Sequence, residues 1–177
     1  MVREILIWPH PGLKKKAAPV KKVTAATRKL VADLFDTMAF AEGVGLAATQ
    51  VGVLQRVIVL DIRCVEPKMT PLAMINPELL ELEGEVTYAE GCLSIPGETE
   101  DVDRAAWVRV KFLDVQGRPR VLSCEGLLAV AVQHETDHLH GTLFVDHLSI
   151  IKRAAIRKRM KRLKAARAGP RPSGPSV

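Results

Sequence analysis

One segment, from Glu125 to Gly141, restricts what this chain of 177 residues can fold into more than any other. Apolar and histidine side chains recur in it three and four residues apart: Leu127, Val130, Ala131, His134 and His138. In an α-helix this spacing places all of these side chains on one face, and Gly141 is placed to end the helix. The sequence therefore predicts a helix with a mixed apolar and histidine face, around which the strands must pack.

The remaining patterns indicate strands and two further helices. Strands are predicted at residues 4–8, 55–62, 79–88 and 107–115. A hairpin turn is predicted at Gly117, and a helix from about residue 24 to residue 42, where Leu30, Leu34 and Met38 form one apolar stripe. Since strands and helices do not alternate regularly, we predict an α+β fold. Its antiparallel β-sheets pack around the central helix, with an N-terminal helix and a C-terminal helix beside them.

The charge pattern divides the chain into a body and a tail. Ten of the 26 Lys and Arg residues follow His147, where the sequence has no Asp or Glu, so residues 1–146 hold 16 basic and 20 acidic residues, a net charge of −4. We predict a main domain over residues 1–147, a basic C-terminal helix over 148–168 and a disordered tail over 169–177. The tail, GPRPSGPSV, is too rich in Pro, Gly and Ser to fold.

Cysteine usage and hydropathy indicate where the protein works. Three cysteines without a signal-peptide pattern favour a reducing compartment. The sequence has no apolar run long enough to cross a bilayer. We therefore expect a cytoplasmic protein with no membrane partner.

The pattern H-E-x-x-H at residues 134–138 is typical of a metal site. His134 and His138 are four residues apart, so both rings lie on one helix face and can bind one cation. Glu135 lies about 100° around the helix, beside the ion, where a general base for a metal-bound water is needed. The alternative is a polar, solvated helix with two unrelated histidines.

Two histidines leave a catalytic metal site one protein ligand short. One protease class continues the pattern to a third His, but Phe144 takes that position here. Another class uses a later Glu, and no Glu follows Glu135. The third ligand is therefore expected upstream, where the candidates are His10, Cys64, Cys92 and Cys124. Glycines near Cys92 allow an exposed thiolate, whereas the other cysteines suit buried apolar positions and the upstream histidine suits a surface turn.

The small-residue segment EGVGLAATQVG, residues 42–52, permits two interpretations. It can be a helix stop followed by a linker into the next strand. Alternatively, its small side chains let a substrate backbone approach closely, and Gln50 supplies a neutral amide donor. It has too few glycines, and lacks the Lys, to be a phosphate-binding loop.

Three segments together resemble the signature motifs of the bacterial peptide deformylase family: GVGLAATQ (residues 43–50), EGCLS (90–94) and QHETDHLHG (133–141). Their order and spacing are similar to those of the family, and the likeness covers most of residues 1–165. The resemblance implies the family's fold and a metal-dependent hydrolase. This enzyme would remove the N-formyl group from the N-terminal formylmethionine of newly synthesised polypeptides and release formate, so formyl-methionyl nascent peptides are its implied partners.

The resemblance also implies a ligand set and a metal. Cys92, His134 and His138 would bind one Fe²⁺, with a water in the fourth position. Zn²⁺, Ni²⁺ or Co²⁺ would suit the same ligands. Ferrous iron beside a thiolate should be sensitive to oxygen, with Cys92 as the residue at risk.

The catalytic roles implied by the resemblance belong to three residues. Glu135 would take a proton from the attacking water and deliver it to the departing amine. The side-chain amide of Gln50 and the backbone N–H of Leu93 would stabilise the oxyanion, together with the metal.

Substrate binding is implied for a further group: Val44, Gly45, Tyr88, Glu90, Gly91, Leu127, Val130 and Ala131. The substrate backbone would pair as an added strand beside Val44 and Gly45, and the methionine side chain would enter an apolar pocket. Ordinary helix core has the same chemistry, so that alternative stays open for the three residues on the central helix. The resemblance also suggests an ion pair between Glu90 and Arg104 near the site.

One stretch departs from the family pattern. Relatives often have a basic residue shortly after the CLS motif, whereas IPGETEDVDR supplies acidic ones here: Glu98, Glu100, Asp101 and Asp103. We therefore expect a different sequence preference beyond the methionine.

The basic C-terminal helix has two interpretations. Ile156, Met160 and Leu163 lie on one side of it, so it can dock on the body as a solvated helix. The ten positive charges that follow His147, with no acidic residue among them, also suit a phosphate-rich partner. Given the resemblance, that partner would be the ribosome near the peptide exit and not DNA.

Two rival functions share part of the pattern. A metallopeptidase would use His134, Glu135 and His138, but the third His or Glu of the known classes is missing. An RNA-binding module with a structural metal would need neither Glu135 nor Gln50.

Overall fold

The computed structural model describes residues 1–168 of the chain. In this range the helices are α1 (Ala25–Phe40), α2 (Gly126–Leu139) and α3 (Ile150–Ala168). The strands are β1 (Gly45–Ala47), β2 (Val57–Leu60), β3 (Leu72–Glu83), β4 (Val86–Gly91), β5 (Thr99–Arg104), β6 (Trp107–Leu113) and β7 (Pro119–Glu125). Short 3₁₀ turns occur at Pro11–Lys14, Ala48–Val51 and Phe144–Asp146. The tail expected over residues 169–177 lies outside the described range.

Five strands form one antiparallel sheet in the order β1-β2-β3-β6-β7, and β4 pairs with β5 in a separate antiparallel ribbon. Every residue of β2 is buried. Val57 and Val59 pack in the cluster that contains α1, whereas Ile58 and Leu60 pack in the cluster that contains α2, because successive side chains of a strand point to opposite faces. The two helices therefore cover opposite faces of the sheet, and the predicted α+β fold is confirmed.

The central helix is buried on almost every side. Gly126, with a φ of 59°, turns the chain sharply from β7 into α2. Eleven of the 14 residues of α2 are buried. Leu128, Ala129 and Val132 pack on the sheet. The face of α2 that carries His134 and His138 forms a second buried surface. That surface is the site described below.

Two strand predictions are wrong. Residues 4–8 are not a strand, although the N–H of Leu6 donates to the carbonyl of Gln50 (2.8 Å) and that of Trp8 to the carbonyl of Ser94 (2.9 Å). The first bond goes to the segment at Gln50 and the second to the segment at Ser94, so the two bonds do not form the regular ladder of a β-strand. Residues 79–88 are not one strand, because Gly84, with a φ of 65°, separates β3 from β4. The two strands belong to different sheets.

Two further features differ from expectation. Cys64 is exposed and not buried, whereas Cys124 is buried as predicted. Strand β5 has no apolar alternation in its sequence TEDVDR, and only Val102 and Arg104 of it are buried, so the hydropathy pattern contains no signal for it.

Helix α3 rests on a third apolar cluster. Ile156 and Met160 are buried there with Trp8, Ile95 and Phe144, and Leu163 is partly buried against the same cluster. In the described range, no helix is both long and apolar enough to cross a membrane.

Candidate active site

Helix α2 and the residue after β4 bring three metal-ligating side chains together. His134 and His138 lie one turn apart on α2, with ring centroids 5.0 Å apart. The Sγ atom of Cys92 lies 3.3 Å from Nε2 of His138. One ligand atom from each of the three residues lies within 4.8 Å of the others. The three ligands implied by the resemblance therefore meet at one point.

The other upstream candidates lie in different environments. Cys124 is buried in the sheet, where burial raises the pKa of its thiol to about 11, and Cys64 is exposed. His10 accepts a hydrogen bond from the N–H of Gly12 through Nδ1 (3.0 Å), which caps a 3₁₀ turn. Cys92 is the upstream candidate that joins the two histidines.

A buried ion pair orients the first histidine. The carboxylate of Glu90 accepts hydrogen bonds from His134 Nδ1 (2.8 Å) and from Arg104 (2.6 and 3.0 Å). Burial alone would raise the pKa of Glu90, but these bonds hold it below its usual value. With Nδ1 occupied, Nε2 of His134 is the atom left for a metal. Glu90, for which the resemblance implies substrate binding, lines the cleft beside the ligands, and its carboxylate is engaged in this pair.

The same network continues to the surface. Arg104 also donates to Asp137 (2.7 Å), and Asp137 bonds to Nε2 of His147 (2.8 Å). Burial would raise the pKa of Asp137, but the contacts with His147 and Arg104 lower it. The chain of contacts fixes Arg104, and through it the Glu90 carboxylate, behind the histidine.

Glu135 is a buried carboxyl beside the ligands. Burial raises its pKa to about 7, and its Oε2 atom has no hydrogen-bond partner in the described part of the chain. A Cβ atom built on Gly45 would lie 2.5 Å from Oε1 of Glu135, so only glycine leaves room for this side chain. A carboxyl with such a pKa can both accept and release a proton near neutral pH.

The ligand set fits a transition-metal ion. One thiol and two imidazoles are the donors that Fe²⁺ and Zn²⁺ use in proteins. Burial, together with the neighbouring His134, lowers the pKa of His138 well below its usual value. Burial also acts to lower the pKa of His134, but contacts with Cys92 and Glu90 raise it well above its usual value, so this ring must lose its proton to bind a metal as neutral imidazole. The orphaned Oε2 of Glu135 is a further sign that the site accommodates a polar group.

Gln50 is fixed with its amide donor toward the ligands. Its Oε1 atom accepts from the N–H of Ala47 (2.8 Å), which determines which end of the amide faces the site. Nε2 donates to the hydroxyl of Ser94 (3.2 Å) and lies 3.5 Å from Sγ of Cys92. Leu93, which lies between Cys92 and Ser94 in the chain, lines the cleft beside the ligands, as does Gln50.

A cleft of about 510 Å³ opens beside the ligands. Its lining includes every residue predicted to bind substrate: Val44, Gly45, Tyr88, Glu90, Gly91, Leu127, Val130 and Ala131. One wall was not predicted from the sequence and consists of residues 95–99. The sequence feature that could have indicated this wall is the position of residues 95–99 directly after the CLS motif.

Clefts of this kind, with ligands for one cation and a protonatable carboxyl beside them, belong to metal-dependent hydrolases. The chain belongs to one family of that class, because the family model described as polypeptide deformylase matches residues 2–154. Its members are hydrolases that remove the N-formyl group from newly synthesised polypeptides, and the chain shares this activity. The metallopeptidase and RNA-binding alternatives are therefore excluded as its main function.

Individual relatives agree with the family assignment. The chain is 52% identical to a peptide deformylase of Alkalilimnicola ehrlichii over 162 residues, 92% of this chain and 90% of that protein. A crystal structure of a peptide deformylase from Legionella pneumophila matches with a TM-score of 0.89 at 44% identity, covering 97% of this chain and 100% of that chain. A peptide deformylase from Ehrlichia chaffeensis in complex with actinonin matches with a TM-score of 0.88 at 36% identity, covering 92% and 98%.

Proposed function

We propose that Cys92, His134 and His138 hold one Fe²⁺ and that the cleft beside them deformylates formyl-methionyl peptides. The convergence of the three ligand atoms within 4.8 Å is the observation that carries this proposal. When bound, the ion would supply Lewis acidity, polarising the formyl carbonyl and acidifying water. Zn²⁺, Ni²⁺ or Co²⁺ would suit the same donors.

Glu135 is the proposed proton carrier. Its pKa of about 7 lets the carboxylate take a proton from the attacking water and then give it to the amine nitrogen as the formyl C–N bond breaks. The unpartnered Oε2 atom leaves it free for both transfers.

Gln50 and Leu93 are the proposed donors to the oxyanion. The Gln50 amide is already held toward Cys92 by its bond to Ala47, so little reorganisation is needed when charge develops on the formyl oxygen. The backbone N–H of Leu93 would supply the second donor.

The substrate backbone would add to strand β1. This strand lies at the edge of the five-stranded sheet, and β2 occupies only one of its sides, so its other side can pair with an extended peptide. Val44 and Gly45 line the cleft there. The methionine side chain would enter the apolar part of the cleft between Tyr88 and α2.

An anaerobic assay of formate release tests this function. We expect metallated wild-type enzyme to release formate from a formyl-Met peptide, and Glu135→Ala to lose about 10²- to 10⁴-fold in rate with its metal content unchanged. Glu125→Ala is the matched control, because Glu125 is exposed at the start of the same helix and makes no cap hydrogen bond through its side chain. Absence of formate from fully metallated wild type would contradict the function.

We further propose that the protein works in the cytoplasm and that α3 attaches it to the ribosome. The exposed basic residues of α3 that form no ion pair within residues 1–168 include these four: Arg157, Lys158, Lys161 and Arg162. They are available to phosphates, whose contacts weaken as salt rises.

Substituting these four residues with Gln tests the attachment without removing the buried side of α3. Ribosome binding should weaken and lose salt dependence, while activity on short peptides stays the same. A control changes an equal number of exposed lysines of the body: Lys15, Lys16, Lys21 and Lys22. Equal binding by both variants would refute the attachment.

A further inference from the structure

The segment after Cys92 separates the substrate cleft from α3. Residues 95–99 line the cleft. Ile95 also packs in the cluster that holds Ile156 and Met160 of α3. Most of α3 lies beyond residue 154, where the family match ends. Helix α3, which mostly follows the part of the chain matched by the family model, therefore supports one wall of the cleft.

One ion pair joins α3 to this wall. Arg159 donates from Nε to Oε1 of Glu98 (2.6 Å) and from Nη2 to Oε2 (2.5 Å). The side chain of Glu98 is 13% exposed and that of Arg159 is 51% exposed. A two-point contact between guanidinium and carboxylate has a defined geometry. Arg159 thus neutralises a carboxylate that lines the cleft.

Acidic groups dominate the charge of the cleft. Within residues 1–168, the lining contains no Lys or Arg, and its acidic members are Glu42, Glu90, Glu98 and Glu135. Glu90 is paired with Arg104, and Glu135 is committed to proton transfer. Glu42 is exposed and makes no ion pair in the part of the chain that the structure describes. Glu42 and Glu98, the latter paired with Arg159, are therefore the cleft carboxylates left to meet the rest of the peptide.

We propose that the Glu98–Arg159 pair determines which residues the enzyme accepts after the formylmethionine. Glu42 makes the wild-type cleft favour basic side chains over acidic ones. Arg159 masks Glu98 and limits that preference. This specificity rests on the deformylase function proposed above, and it assigns a substrate-selecting role to a residue of α3, beyond the part of the chain that the family model matches.

The test measures kcat/KM for formyl-Met-Ala-Xaa and formyl-Met-Xaa-Ala peptides in which Xaa is Lys, Gln or Glu. The informative quantity is kcat/KM for the Lys peptide divided by kcat/KM for the Glu peptide, and this ratio should exceed one in wild type. Arg159→Gln uncovers the Glu98 charge and should raise the ratio about two- to fivefold, the range of an exposed ion pair. Glu98→Gln uncovers Arg159 and should lower it by a similar factor, and the double variant should return to the wild-type value.

Lys152→Gln is the matched control. Lys152 also extends from α3 and pairs with Glu100 (2.7 Å), but Glu100 does not line the cleft, so the ratio should stay unchanged. In about 1 M salt the screening length is about 3 Å, so the ratios of wild type and all variants should converge on a common value. If Arg159→Gln fails to fold, Glu98→Gln must still lower the ratio, and Arg159→Lys must leave it near wild type.

Three results would overturn the proposal: a wild-type ratio at or below one, a shift of both single variants in the same direction, or a parallel loss for all peptides with an unchanged ratio. The last result would give the pair a purely structural role while leaving the deformylase function intact. Absence of formate from every peptide would instead contradict the function itself.

Discussion

Helices α2 and α3 both contribute to the substrate cleft, but they are held in different ways. Eleven of the 14 residues of α2 are buried, and its Gln133 and His134 side chains bond to Ala105 and Glu90 on other elements. Helix α3 buries Ile156 and Met160 and reaches the cleft wall through side chains at the surface. Helix α2 is thus enclosed along most of its length, whereas α3 is held at a few points.

This difference predicts how substitutions should behave. A broken contact around α2 leaves a polar group buried without a partner, which costs the full desolvation of that group. At α3, water can replace a lost partner. Effects on stability and rate should therefore decrease from the ligand network toward the surface of α3.

The largest effect on stability is expected for Arg104→Met. The side chains of Arg104 and Glu90 are only 5% and 3% exposed. Removing one partner leaves the other charge buried and unpaired, which costs about 3–5 kcal/mol of stability. Urea unfolding at fixed metal content measures it. Arg109→Met is the control, because the Arg109–Glu81 pair is 45% and 48% exposed and should contribute less than about 1 kcal/mol. Similar losses for both variants would remove the distinction between the two regions.

Gln50→Ala should reduce kcat, and it should also lower stability, because the buried N–H of Ala47 loses its acceptor. Removal of one oxyanion donor costs about 2.7–4 kcal/mol of transition-state stabilisation, and KM should change little if the donor acts only in the transition state. Steady-state kinetics on a formyl-Met peptide measures both constants. A rise in KM at constant kcat would assign Gln50 to ground-state binding.

The sequence was sufficient to predict α2 and the set of residues that meet at the ligands. Two histidines at helical spacing on an otherwise apolar helix are compatible with few buried environments. The resemblance then related Cys92 and Gln50 to them across the chain. These residues lie together in the structure because each belongs to a short motif whose local geometry is fixed.

The contacts between distant segments could not be predicted in the same way. Glu98 and Arg159 are 61 residues apart, and spacing along the chain does not indicate which acid a basic helix will contact. Strand β5 is stabilised by pairing with β4 and not by apolar alternation. The acidic residues after the CLS motif led to the prediction of a different preference beyond the methionine, but nothing in their sequence indicates that Glu98 and Glu100 pair with α3.

The buried side of α3 should respond to small changes in volume. Ile156 is fully buried, so Ile156→Val should lower the free energy of unfolding by about 0.5–1.5 kcal/mol. Ile150→Val, at a position 87% exposed on the same helix, is the control and should have almost no effect. Equal stability of both variants would show that α3 is not docked in solution.

The smallest effect is expected for the exposed contact of Lys152 with Glu100. Their side chains are 53% and 24% exposed, so Lys152→Gln should cost about 0.2–1 kcal/mol. Because salt screens such a pair, the difference from wild type in urea unfolding should shrink in about 1 M NaCl. A loss as large as that of Arg104→Met, or one that salt does not reduce, would mean that α3 is held by buried charges and would reverse the comparison with α2.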